Sequence, residues 1–334
     1  MTVSKMPSPV SIVGPTAVGK TAFGLWLADR LLAEGVATGV DLISADSRQV
    51  YRGLDILSGA DLPSDFECQR AADAGKSYWQ KSESPVRFFG LSSIYPNQEW
   101  SVAHFQQLAQ AVLAQNKLAG RMTMIIGGTG LYHAHINNQD PTLHIPPNEL
   151  LREFLQTLSI TELQQQLRDK DLSRLLGMNE SDNQNPRRLI RALEVYEYQQ
   201  HQASPVKKLD DTNSLSQSDF LTLGLSESLE HLEKNITLRV AQRFSEGALA
   251  EVQSLMIKYL SWNTPAFTAT GVRELRRYVE GSITQSECLS LWATSEFQYA
   301  KRQLTWWKKQ TNVLWISSED DNWKELAYQR ILKA

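Results

Sequence analysis

The chain has 334 residues, room for one large domain or two, and its 42% hydrophobic and 21% charged residues are those of an ordinary globular protein. A net charge of −3 gives no overall attraction to a polyanion, so only local basic clusters keep nucleic acid in view. No apolar run approaches membrane-spanning length, Met1–Pro9 lacks the apolar core of a signal peptide, and Cys68 and Cys288 make neither a metal spacing nor a disulfide framework, so a reducing cytoplasm is expected.

The predicted elements begin with a strand at Val10–Val13. Gly14-Pro15-Thr16-Ala17-Val18-Gly19-Lys20-Thr21 follows, and then a helix over Thr21–Ala33 with apolar Phe23, Leu25, Trp26, Leu27 and Leu31. G-x-x-x-x-G-K-T between strand and helix is the pattern of a phosphate-cradling loop. Loop amides and the helix N-terminus face an anion. Gly14 and Gly19 permit the turn, Lys20 adds a point charge, and the Thr21 hydroxyl can bind Mg²⁺. A plain Gly-rich turn is the simpler alternative.

A second strand, Asp41–Ser44, ends at Ala45-Asp46-Ser47. Val102–Asn116 has helical spacing at Phe105, Leu108, Ala109, Val112 and Leu113. Thr123–Ile126 is a further strand, closed by Gly127-Gly128-Thr129-Gly130. This alternation predicts an α/β fold, a P-loop NTPase-like parallel sheet with flanking helices. Such sheets bind ligands at the carboxyl ends of their strands, where the loop, Asp46 and Thr129 would meet around one crevice.

Asn137–Pro147, with three prolines, reads as a linker. Residues 148–200 read as a small all-helical insertion, 203–219 as a polar loop and Phe220–Leu225 as one more strand of the sheet. About 227–310 follows as a helical C-terminal part, and then a short tail. The expected division is a core over 1–138, an insertion over 139–205, and completion of the core over 206–334. On a helix over Pro186–Tyr198, Arg187, Arg188 and Arg191 share one arc, opposite Leu189, Ala192, Leu193 and Tyr196. Over Ala300–Gln310, Lys301, Arg302, Thr305, Lys308 and Lys309 oppose Gln303, Leu304, Trp306 and Trp307. A third cluster is Arg273, Arg276 and Arg277. Basic faces backed by apolar residues suit RNA phosphates, and they equally describe solvated surface helices.

Five segments in order resemble the tRNA dimethylallyltransferase (tRNA isopentenyltransferase) family. They are the loop octet, Ser44-Ala45-Asp46-Ser47-Arg48-Gln49-Val50-Tyr51-Arg52-Gly53, Gly127-Gly128-Thr129-Gly130-Leu131-Tyr132, Asn185-Pro186-Arg187-Arg188-Leu189-Ile190-Arg191-Ala192-Leu193-Glu194-Val195 and Ala300-Lys301-Arg302-Gln303-Leu304-Thr305-Trp306. The resemblance implies that the loop holds dimethylallyl diphosphate. It implies that the acceptor is N6 of the adenosine 3′-adjacent to the anticodon, so that the partner is a tRNA anticodon stem-loop. Departures mark a divergent member. Asp55-Ile56-Leu57-Ser58-Gly59-Ala60-Asp61-Leu62-Pro63 lacks the usual lysine, residues 64–95 are unfamiliar, and Gly271-Val272-Arg273-Glu274 stands where a Gly-Tyr pattern is usual.

In that chemistry Lys20, the loop amides and Mg²⁺ on Thr21 would stabilise the departing diphosphate. Asp46 would take the proton of the amine; a helix cap or a ligand to Mg²⁺-bound water is its other reading. The resemblance implies that Thr129 touches the substrates near the reacting centre, and a turn hydroxyl is the plainer role. The adenine must be flipped out of its stack. Asp46, Ser47, Arg48 and Gln49 would hold it, with tRNA contacts at Arg187, Arg188, Leu189, Ile190 and Arg191, and less securely at Arg152. Lys301, Arg302, Gln303 and Trp306 would grip the loop, Trp306 by stacking on a base or else by packing in the core. A monomer is expected. The competing readings are an adenylate isopentenyltransferase, a small-molecule P-loop kinase and a tRNA-binding relic without turnover.

Overall fold

The computed structural model describes residues 8–60, 62–71, 77–136, 140–201 and 220–333. In chain order the first stretch runs β1 (Val10–Val13), α1 (Lys20–Ala33), β2 (Val40–Ser44), α2 (Asp55–Ser58), β3 (Phe66–Gln69), β4 (Tyr78–Lys81), β5 (Val86–Phe89), α3 (Val102–Ala119), β6 (Met122–Ile126) and α4 (Gly130–His135). Five helices follow: α5 (Glu149–Leu155), α6 (Ile160–Lys170), α7 (Leu172–Gly177), α8 (Glu180–Asn183) and α9 (Pro186–His201). The chain then returns through β7 (Leu221–Ser226), α10 (Leu229–Arg243), α11 (Leu249–Lys258), α12 (Val272–Val279), α13 (Gln285–Lys308), β8 (Val313–Ser317) and α14 (Trp323–Leu332). Two compact units result, Met1–Asn137 with Leu215–Ala334, and Asn138–Ser214.

In the first unit eight strands pair in the order β3-β4-β5-β2-β6-β1-β7-β8. From β5 to β8 every pairing is parallel, while β3, β4 and β5 pair antiparallel at one edge. The central strands are buried on both faces, and their residues alternate between two cores. Leu42 and Met124 face a core that α1 and α14 cover with Phe23, Leu27, Tyr328 and Ile331. Ile43 and Ile125 face a second core covered by Phe105, Ala109 and Val112 of α3 and Tyr132 of α4. Helix α3 starts cleanly because Ser101 and His104 form a reciprocal capping box.

A third core gathers Tyr51, Leu54 and Leu57 with α10, α11, α12 and α13. At its centre Trp292 is fully buried. Thr284 and Glu287 cap α13, which runs 24 residues and so reaches the carboxyl end of the sheet.

The second unit is entirely helical among its described residues, with a core of Leu155, Leu163, Leu167, Leu175, Leu189, Ala192 and Leu193. Its buried carboxylate, Glu194, accepts from the Asn148 amide at 2.9 Å and pairs with the Arg152 guanidinium at 2.7 Å.

The parallel α/β sheet, its flanking helices and the helical C-terminal part match expectation. Three features do not. Residues 64–95 contribute strands β3, β4 and β5, each of four residues, too short for period-two alternation to stand out. The expected tail contains β8 and α14, which extend the sheet and cover one of its faces. Within the expected linker, Pro141–His144 forms a 3₁₀ turn capped by the Asp140 carboxylate, 2.9 Å from the Thr142 amide. Met1–Pro7 of the leader reading, Asp61, Asn137–Gln139 and the polar loop 203–219 lie outside the described residues.

Candidate active site

Backbone bonds between neighbouring strand ends assemble the crevice. The Gly127 amide donates to Ile12 O at 3.1 Å, which ties the end of β6 to β1. The Thr129 amide donates to Ala45 O at 3.2 Å, which sets Thr129 beside the residue preceding Asp46. The phosphate loop, Asp46 and Thr129 thus gather at the carboxyl ends of three adjacent strands, as the alternation of elements predicts.

The loop is tightly specified. Gly14 has φ +142° and a Cβ there would overlap Leu225 O, so no other residue fits. Ala17 has φ +66°, an uncommon and strained angle for a residue with a side chain. Lys20 Nζ donates to Pro15 O at 2.6 Å, folding the ammonium over the loop. Burial, then the charge of Arg239, pull the Lys20 pKa down to about 7, opposed by Asp46.

One Asp46 oxygen, Oδ1, accepts from the Arg48 amide at 2.8 Å. This fixes the carboxylate in a local turn and leaves Oδ2 without a hydrogen bond to the described residues. Two tyrosine phenols lie within reach of its charge. Burial and then the Asp46 charge push the Tyr299 phenol up to about 12, and the same two causes raise Tyr132 further, so both are neutral donors. The Thr129 hydroxyl is buried and makes no well-formed hydrogen bond, with the Tyr299 phenol as its polar neighbour. A buried donor left open at such a site is available to a ligand.

Other predicted contact residues serve the protein's own framework. The Gln49 amide group donates to Gly59 O at 2.7 Å, and its carbonyl accepts from the Ser44 hydroxyl at 2.7 Å. Arg48 reaches the Thr268 hydroxyl at 2.9 Å. Ser47 is half-buried beside it. Gln303 is buried and accepts from the Thr16 amide at 2.8 Å, so its side chain holds the phosphate loop instead of standing free for RNA. Trp306 is half-buried, with its ring against Gly130 and edge-on to Trp307. Lys301 and Arg302 lie over the rings of Phe297 and Tyr299, at 4.8 and 5.7 Å. Only these basic residues, with Lys308 and Lys309, keep much of the charged face expected of this helix.

In the second unit Arg187 is exposed, whereas Arg188 pairs with Asp182. Arg191 does not point freely outward. Its guanidinium donates to Thr142 O and Ile145 O, each at 2.8 Å, and lies 3.5 Å from Glu194. Leu189 and Ile190 are core residues, and Arg152 is held by Glu194. The Arg273 cluster is a solvated face, with Arg276 paired to Glu280 at 2.8 Å.

The sequence pattern does not single out Arg239, Arg243 and Glu296. Arg239 and Arg243, one turn apart on α10, line a cavity of about 520 Å³ with Gln242 and Leu62. Arg243 is buried and pairs with Glu296 at 3.1 Å. The i, i+4 arginine spacing was the available signal, hidden because α10 bears charge on several faces.

Fold and site together define a mostly parallel α/β protein in which a G-x-x-x-x-G-K-T loop, Asp46 and Thr129 meet at the carboxyl ends of adjacent strands. A family model described as IPP transferase matches residues 49–310, and the chain belongs to that family. It is 32% identical over 323 residues to a tRNA dimethylallyltransferase of Anoxybacillus flavithermus, covering 97% of this chain and 94% of that protein. The full-length tRNA isopentenylpyrophosphate transferase of Bacillus halodurans superposes with a TM-score of 0.63 at 28% identity, covering 98% of this chain and 95% of that one. A eukaryotic dimethylallyltransferase, seen in crystallographic snapshots acting on tRNA, shares the fold with a TM-score of 0.69 at 20% identity, over 96% of this chain and 77% of that one.

Proposed function

We propose that this chain transfers the dimethylallyl group of dimethylallyl diphosphate to N6 of the adenosine 3′-adjacent to the anticodon in tRNA. The observation that carries the chemistry is the juxtaposition of Asp46, held at one oxygen and open at the other, with a phosphate loop and an unsatisfied Thr129 hydroxyl. Similarity to tRNA dimethylallyltransferases supports this choice of reactants.

The allylic C–O bond breaks and the diphosphate leaves with the bonding electrons. Lys20 and the loop amides stabilise the charge that grows there. The N6 lone pair forms the new C–N bond, and the N6 proton passes to Asp46, for which a positioned base supplies roughly 10²–10⁴-fold. Thr129 and the neutral Tyr299 phenol orient the reacting groups. Among the described residues no group of three or more His, Cys, Asp or Glu side chains converges on a metal. Mg²⁺ would instead be held by the half-buried Thr21 hydroxyl and the substrate's own oxygens, a hard-oxygen set with few protein ligands. When bound it supplies further neutralisation of the leaving diphosphate.

Exposed Arg187 and Arg302 and half-buried Lys301 are the residues we assign to tRNA phosphates. Among the described residues no helix is long and apolar enough to cross a membrane. Both cysteines are free, which supports a place in the reducing cytoplasm. Light scattering would check the monomer we expect.

The test is incubation with dimethylallyl diphosphate, Mg²⁺ and unmodified tRNA, followed by nucleoside mass spectrometry, with AMP as the competing acceptor. Formation of N6-dimethylallyladenosine in tRNA is expected. Alkylation of AMP alone, or no alkylated adenosine in any tRNA, overturns the proposal.

A further inference from the structure

We infer that Glu296 is a positioning residue for the phosphate loop, acting through the Thr16 hydroxyl; the inference rests on the proposed use of that loop to hold a diphosphate. Glu296 is 4% exposed in the middle of α13, yet it carries a full set of partners. Oε1 accepts from the Thr16 hydroxyl at 3.3 Å and pairs with Arg243 Nη1 at 3.1 Å. Oε2 accepts from Trp292 Nε1 at 3.1 Å and from the Thr270 hydroxyl at 3.2 Å. The Trp292 and Thr270 bonds fix the carboxylate from behind, so its other oxygen is aimed at the loop.

Two turns further along the same helix, Gln303 accepts from the Thr16 amide at 2.8 Å. Thr16 is therefore held by side chain and main chain together, from one face of one helix. The need for this double hold is visible at the next residue. Ala17 sits at φ +66°, a conformation that persists only where the surroundings over-determine it. A loop free to relax at Ala17 would turn its amides away from a common focus, and the anion would lose donors that must point together.

Glu296 also neutralises Arg243, which would otherwise stand buried with an uncompensated charge at the edge of the cavity it lines with Arg239. One carboxylate thus sets both the loop and this arginine. A fold-stabilising ion pair with no bearing on the loop is the competing account, and Thr16 separates the two, because altering its hydroxyl leaves the Glu296–Arg243 pair intact.

The experiment measures binding of inorganic pyrophosphate with Mg²⁺ to the full chain by calorimetry, with thermal melts and the KM for tRNA alongside. Thr16→Val is expected to weaken pyrophosphate about fivefold and Thr16→Ser to stay within about twofold, since serine keeps the donor. Glu296→Gln is expected to weaken it about tenfold or more, with the tRNA KM within about twofold. The double variant Glu296→Gln/Thr16→Val should bind within about twofold of Glu296→Gln alone, because both changes weaken the same contact. Wild-type affinity in Thr16→Val, equal loss in Thr16→Ser and Thr16→Val, or multiplying effects in the double variant would overturn the inference. So would a Glu296→Gln protein that melts earlier with unchanged pyrophosphate affinity. Should Glu296→Gln fail to fold, the two Thr16 variants still decide. Pyrophosphate binding is read without turnover, so a wild-type protein that alkylates no tRNA would sink the proposed function and leave this result standing.

Discussion

His133 offers a prediction whose size follows from its surroundings. It lies on α4, 8% exposed, with Nδ1 3.4 Å from the Ser11 hydroxyl and Nε2 without a well-formed hydrogen bond. Its ring stands edge-on to Trp307, with centroids 5.1 Å apart. Burial pulls its pKa from 6.5 down to about 3, partly offset by the Gly127 backbone and reinforced by the Lys20 charge. The folded value lies below the unfolded one, so between those pH values the unfolded chain binds more protons. Folding stability therefore falls as pH drops through 6.5 and levels off near 3. At 1.36 kcal/mol per pKa unit, the loss between pH 7 and pH 5 is about 2 kcal/mol, a large share of the roughly 5–15 kcal/mol that holds a domain together. His133→Phe keeps a ring against Trp307 and removes the titration. Its lost contact to Ser11 shifts the baseline equally at every pH. Urea unfolding of both proteins from pH 7 to pH 5 should show the wild type losing about 2 kcal/mol more than the variant. Parallel pH profiles, or an NMR titration of His133 near pH 6, would refute the reasoning.

Five further outcomes are expected. Asp46→Ala should bind tRNA within about twofold of wild type while turnover falls by about 10²–10⁴; filter binding and single-turnover kinetics check this. Arg187→Ala should weaken tRNA binding and lower the slope of log affinity against log salt by about one. Arg191→Ala should instead reduce thermal stability, because its guanidinium ties Thr142 and Ile145 to α9. Gly130→Ala should destabilise by about 1–3 kcal/mol in chemical denaturation, since a Cβ there overlaps the Trp306 ring. Asp41→Asn should cost about 3 kcal/mol, because it removes the buried counter-charge of Arg87 and Arg121.

What the sequence discloses depends on how local the controlling physics is. The phosphate loop, β2 and β6 are legible because each is a run of residues with its own period or its own turn glycines. The charged and apolar arcs of α9 are legible for the same reason, and Leu189, Ala192 and Leu193 are buried as the angular pattern requires. That pattern places Arg191 on the outer arc but cannot show that it is spent on the carbonyls of Thr142 and Ile145. The edge strands are hidden for another reason. Residues of β4 are all half-exposed, so they alternate in nothing, and only pairing with β3 and β5 makes them a strand. Gln303 misleads most. It lies on the packed arc of α13 beside Leu304 and Trp307, yet its amide group suggests a reader of bases. Its actual partner, the Thr16 amide, is 287 residues away in the chain.

That distance explains why two remote motifs occur together. Gly128 has no side chain, and a Cβ there would overlap the Gln303 amide group that supports the phosphate loop. Gly130 makes the same room for Trp306 one turn later on α13. The Trp307 indole closes the arrangement by donating to Gly128 O at 3.3 Å. The glycine run after β6 and the Ala-Lys-Arg-Gln-Leu-Thr-Trp segment are therefore two halves of one packing contact. A change in either half moves Thr129, which the glycines carry, and Thr16, which Gln303 holds. Substrate contact alone would allow the two segments to vary separately; close packing does not. A chain that kept the loop and Asp46 but lost this helix would have the reacting groups without the frame that aims them.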